Sequence, residues 1–175
     1  MEITLKEMVS RLQKPGQEIL ESLTAEKCNL MHHALGVAGE LIEFNIAIEN
    51  DDVENLIEEA GDMLFYTEGA LIAVSPYSIE TILVDNETLH EICSLNQAVE
   101  ILVDTIKKHV MYNKDLNISN ICIASACIKH YISDELLNYD CHIEHVIQAN
   151  KEKLSVRYEG FNYSDEAAKA RKDKV

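Results

Sequence analysis

The sequence predicts an all-α fold. Only six Gly and two Pro occur in 175 residues, too few for a turn-rich β protein. No segment alternates apolar and polar residues with the period of a strand. Long stretches instead repeat apolar residues at helical spacing.

Each element follows in order. Residues 2–13 form a short amphipathic helix that ends before Pro15-Gly16. A proline-free helical pattern then runs from Lys27 to Glu49. The polar stretch Glu49-Asn50-Asp51-Asp52 breaks it. Asp51, with Glu54 three residues later, resembles a capping box that starts the next helix. That helix is expected from Asp52 to Val74, stopping at Ser75-Pro76. Tyr77 to Asp85 reads as a connector with room for a helical turn. Three further periodic segments cover 87–111, 119–138 and 140–157, and Gly160 closes the last. The expectation is an antiparallel helical bundle over residues 1–160, built around an αα-hairpin, with a polar C-terminal tail over 161–175.

Composition narrows the function. Fifteen basic and 31 acidic residues give a net charge of −16. Duplex nucleic-acid binding and polybasic membrane attachment both need clustered Lys and Arg, so neither is expected. The charge is uneven: residues 1–150 hold 8 basic and 26 acidic side chains, whereas 151–175 hold 7 basic and 5 acidic. Five cysteines without a CxxC pair, mostly among apolar neighbours, read as buried reduced thiols. The first residues have no basic n-region or apolar h-region, and no apolar run reaches the ~18 residues of a membrane span. A cytoplasmic protein is expected.

The chemistry is carried by two pairs of acids. Glu40 and Glu43 are i and i+3 on the first long helix, sharing a stripe with Asn29, His33, Gly36 and Ala47. An ordinary core stripe would carry Leu or Ile there, so the small residues leave room above the acids. Glu59 and Asp62 repeat the spacing on the second helix, with Asn55 and Tyr66 on their stripe. Val53, Ile57, Ala60, Leu64 and Leu71 form the apolar side of that helix, expected to face the core. A hairpin turning at 49–52 lets the pairs face one another. Four converging carboxylates need a counter-charge, and hard oxygen donors in that number suit Mg²⁺ or Mn²⁺.

At these residues the sequence resembles the MazG-type all-α nucleoside triphosphate pyrophosphohydrolases. ExxE stands within Leu35-Gly-Val-Ala-Gly-Glu-Leu-Ile-Glu43, and ExxD within Asn55-Leu-Ile-Glu-Glu-Ala-Gly-Asp-Met-Leu-Phe-Tyr66. Two later stretches, Asp104 to Lys114 and Asn150 to Phe161, are also similar to bacterial and phage members. The resemblance implies that Glu40, Glu43, Glu59 and Asp62 bind Mg²⁺, with Mn²⁺ as the alternative ion. It implies hydrolysis of an NTP or dNTP between the α and β phosphates, giving a nucleoside monophosphate and pyrophosphate. It also implies that Lys153 and Arg157 contact phosphate. The residues support that independently, because Asn150, Lys153 and Arg157 fall on one helical face. Lys107 or Lys108, with Tyr112, offers a further phosphate or sugar contact. Asn55 either binds the base or sugar or orients a carboxylate. Tyr66 is expected to pack rather than stack on a base. Glu43 and Glu59 are equal candidates for the acid that accepts the water proton.

Rival readings are weaker. A ferritin-like di-iron bundle needs ExxH on two helices, and only Glu87-x-x-His90 fits, on a helix without either acid pair. His142 and His145 are i, i+3, but nothing completes a zinc site, so they read as surface histidines. A non-catalytic helical oligomerisation or regulatory module is opposed by the presence of all four acids and the Lys/Arg pair. Assembly as a homodimer or homotetramer is expected, since the resembling family covers its apolar remainder in that way.

Overall fold

The structure is a computed structural model that describes residues 3–75 and 94–174. Among these residues every regular element is helical. The α-helices are α1 (Leu5–Leu12), α2 (Gly16–Ser22), α3 (Ala25–Glu49), α4 (Val53–Val74), α5 (Leu95–Tyr112), α6 (Ile118–Leu137), α7 (Ile143–Arg157) and α8 (Asp165–Ala170). Single 3₁₀ turns follow at Glu159–Phe161 and Lys172–Lys174.

Four helices enclose the core. Helix α3 packs on α4 and α5, and α6 packs on the same two from the other side. Leu30, Val37 and Phe44 of α3 meet Leu56, Met63 and Val74 of α4. Leu102 and Ile106 of α5 and Ile121, Ile128, Ile132 and Leu136 of α6 complete the cluster, all essentially without solvent contact. Each such side chain contributes about 1.5–3 kcal/mol by leaving water. Helix α7 lies against α4, and this contact brings the C-terminal cations to the acids.

The α3–α4 turn is built from its own hydrogen bonds. Asn50 ends α3, and Asp51 adopts the left-handed conformation at φ 54°. The amide of Asp52 donates to Ala47 O at 3.0 Å and that of Asp51 to Ile48 O at 3.1 Å, the paired bonds of a Schellman motif. Asp52 then caps α4 through Oδ1, which accepts from the Asn55 amide at 3.1 Å. The expected cap at Asp51 is therefore one residue too early. Asp51 is spent in reversing the chain.

Other boundaries differ for local reasons. Residues 16–22 form α2, which was not expected; it is a short helix started by Pro15. Helix α5 begins at Leu95, where Ser94 Oγ accepts from the Gln97 amide at 3.2 Å. The proposed connector, Cys93 and the Glu87-x-x-His90 motif lie outside the described residues. The core side of α4 is Leu56, Ala60, Met63, Leu64, Thr67, Ala70 and Val74; Ala60 and Leu64 are buried as expected, whereas Val53 is exposed and Ile57 and Leu71 are only part-buried. Cys122, Cys127 and Cys141 are buried thiols, but Cys28 is exposed on α3. The tail is not simply solvated: 165–170 is helical, and 172–174 folds back onto α7. Among the described residues no helix is long and apolar enough to cross a membrane.

Candidate metal centre

Helices α3 and α4 run side by side from their short turn, so the two acid pairs face each other. One carboxylate oxygen each from Glu40, Glu43 and Glu59 lies within 4.8 Å of the others. Glu59 is only 4% exposed, Glu40 is half-buried and Glu43 is at the surface. Burial, then the hydrogen bond to Glu40, then the neighbouring carboxylates push Glu59 up to about 8. Burial also raises Glu40, although its hydrogen bond from Glu59 pulls the other way. Both acids are thus pushed toward their neutral forms when no cation lies between them. Like charges at this range cannot all remain ionised without a cation.

Asp62 stands beside this trio and has its own partners. Lys153 Nζ lies 2.6 Å from both of its carboxylate oxygens and 3.4 Å from Glu58 Oε1. Asn150 Nδ2 donates to Asp62 Oδ1 at 2.7 Å. Lys153 and Asp62 are both largely covered, at 13% and 22% side-chain exposure. This ion pair is therefore less screened than a surface one. It is formed because α7 crosses α4 at Gly61, where a Cβ would come 2.9 Å from Asn150. Gly36 plays the same part on α3: its missing side chain is replaced by the ring of Tyr66. That ring is half-buried beside Glu40 and Asp62, and burial followed by those carboxylates raises its hydroxyl. Tyr66 thus packs, as expected, and forms one wall of the acid cluster.

The structure brings Asn150 and Lys153 to the acids but directs Arg157 elsewhere. Arg157 Nε donates to Asp173 Oδ1 at 2.6 Å, and Nη2 donates to Oδ2 of the same carboxylate. This fork-shaped pair holds Asp173 down at about 2, chiefly through the Arg157 hydrogen bonds. Arg157 is thus engaged by the tail. Asn55 sits in the first turn of α4, one turn before Glu59 on the same stripe.

Lys108 and Tyr112 are not brought to the acids within one chain. Their end of α5 pairs with the start of α3, where Lys27 Nζ donates to Asn113 Oδ1. Lys108 Nζ is 2.5 Å from Asp104, and Tyr112 is exposed. His142 is exposed at the start of α7, and His145 Nδ1 lies 3.6 Å from Cys141 Sγ. Two contributors escaped the sequence reading. Glu58 adds a second acid to Lys153, but its neighbour Glu59 dominated the pattern. Asp173 sits 16 residues beyond Arg157, and no helical spacing links them.

A cavity of about 860 Å³ runs along α4 and α7 from Gly61 and Asn150. Its walls are mainly apolar, with Leu64, Phe65, Ile143, Ile147, Leu154 and Phe161 among them. No family model, curated protein or solved structure matches the chain.

Proposed function

We propose that this protein is a divalent-cation-dependent nucleoside triphosphate pyrophosphohydrolase. The observation that carries the reading is the convergence of Glu40, Glu43 and Glu59 within 4.8 Å, with Asp62 alongside under Lys153. Three converging hard oxygen donors, one of them buried where its charged form is disfavoured without a counter-charge, suit Mg²⁺ or Mn²⁺. Such an ion supplies water activation and neutralisation of triphosphate charge.

The remaining work falls to the chain. Glu40, Glu43, Glu59 and Asp62 hold the cation, and Glu43 or Glu59 accepts the proton of the attacking water. Lys153 shifts from Asp62 toward the substrate's phosphates, which carry more charge than one carboxylate. Asn150 remains between the acids and the apolar cavity, whose volume suits a nucleoside. Attack at the α-phosphorus releases nucleoside monophosphate and pyrophosphate. The resemblance of the ExxE and ExxD stretches and of the Asn150–Phe161 stretch supports this bond as the one cleaved.

The test is incubation with a panel of ribo- and deoxyribonucleoside triphosphates and Mg²⁺. Pyrophosphate and monophosphate are expected in equal amounts. Orthophosphate as the sole released anion, or no turnover of any substrate, would refute the proposal.

A further inference from the structure

The turn Lys172–Lys174 folds back onto α7 without an apolar side chain to bury. Its stretch, Arg171-Lys172-Asp173-Lys174, offers one acid among three cations. Arg171 and Lys172 are exposed, whereas the side chain of Asp173 is only 2% exposed. The turn is therefore held by charge, through the fork that Arg157 makes with both oxygens of Asp173. Those hydrogen bonds keep both partners ionised, raising Arg157 and lowering Asp173.

Arg157 does not stand alone. It follows Lys153 by one turn on the same face of α7, about 6 Å further along at a rise of ~1.5 Å per residue. Lys153 lies on Asp62 and Glu58, and its charge also reaches Asp173. That of Arg157 reaches Tyr66, the wall of the acid cluster. The two cations thus form one row that starts at the acids and ends under the tail. A cavity of about 530 Å³ opens beside Asn150 and Lys153, and Lys172 and Asp173 line it from the tail.

A guanidinium grips a carboxylate and a phosphate with the same two-pronged geometry. Asp173 supplies one negative charge at one end of the row. A polyphosphate supplies several, spaced along its length, and so meets both cations together.

We propose that Asp173 is an internal stand-in for phosphate: the tail occupies the Arg157 end of an anion seat, and an arriving polyphosphate displaces it and takes Arg157 as well as Lys153. The use of this seat in hydrolysis rests on the reaction proposed above, whereas the displacement does not.

Calorimetric titration of the full chain with inorganic pyrophosphate at fixed Mg²⁺ tests the proposal. Asp173→Asn keeps the size of the side chain but removes the competing charge. It tightens pyrophosphate at least ~10-fold, because the tail holds the seat in most wild-type molecules. Glu166→Gln, the same charge change at an exposed site on α8, leaves the affinity unchanged. Arg157→Gln cancels the gain, so that the double variant binds no tighter than Arg157→Gln alone. In the wild type, pyrophosphate speeds amide exchange over 159–174 while the bundle stays protected. In turnover, Asp173→Asn lowers KM for the triphosphate by a similar factor. Weaker pyrophosphate binding by Asp173→Asn would make Asp173 a support for Arg157 and overturn the proposal. An unchanged affinity or an unchanged KM in that variant would overturn it too. Pyrophosphate that releases the tail of a protein hydrolysing nothing retains the displacement and refutes the reaction alone.

Discussion

Glu59 carries the most perturbed carboxyl of the acid cluster, and its replacement separates charge from packing. Gln keeps the size of Glu59 but lacks the negative charge that holds a divalent cation. Glu59→Gln is therefore expected to lower turnover by at least ~100-fold, in keeping with loss of a group that holds the metal, while its circular dichroism matches the wild type. Turnover near the wild-type rate would remove Glu59 from the metal set. Asp173 supports a prediction of a different kind. Its folded-state value of about 2 lies below the ordinary 3.8, so the Arg157 pair contributes stability above that ordinary value and loses it as pH falls toward 2. Acid titration should release the 159–174 segment from α7 before the bundle unfolds, seen as early loss of amide protection confined to that segment. Simultaneous loss throughout would contradict it. The acids were legible because ExxE and ExxD place two carboxylates on one helical face whatever the tertiary structure does. The partner of Arg157 was not legible, because a contact across a turn and a short helix leaves no periodic trace.

The helix ends decide how α3 and α4 face each other. Asp52→Ala removes the side-chain N-cap of α4 and should cost about 1 kcal/mol in urea unfolding. Asp51→Gly should instead add about 0.5–1 kcal/mol, because φ 54° is strained for a side chain and free for glycine. Opposite signs at adjacent acids distinguish a cap from a chain reversal; equal signs would refute the assignment. Gly36→Ala drives a methyl group into the Tyr66 ring and should cost about 1–3 kcal/mol. Five long helices were legible from their period, including the break at 49–52, since apolar repeats and polar breaks are local. Their starts differ where cap chemistry overrode hydrophobic spacing: by one residue at Asp52, and at Ser94, which caps a helix beginning at Leu95 where the period placed the start at 87. The core side of α4 was less legible. Its apolar residues surround the helix, and contacts with α3, α6 and α7 decide which of them are buried.

For the whole molecule, the net charge of −16 acquires a division of labour. Most of the acids are on the surface, but three of them converge where they repel one another, and Lys153 covers a fourth. A divalent cation should therefore stabilise the folded chain. At a free concentration 100 times its dissociation constant the gain is about 2.7 kcal/mol, and thermal unfolding should show a Mg²⁺-dependent rise that Glu43→Gln abolishes. An equal rise in the variant would assign it to general screening of the acidic surface. The C-terminal cations likewise divide, with Lys153 at the acids and Arg157 bound to the tail. The central claim is metal-assisted attack of water at the α-phosphorus. Hydrolysis in ¹⁸O-labelled water with Mg²⁺, followed by mass spectrometry of both products, tests it most directly. The account predicts one labelled oxygen in the nucleoside monophosphate and none in pyrophosphate; label in pyrophosphate or in released orthophosphate would contradict it.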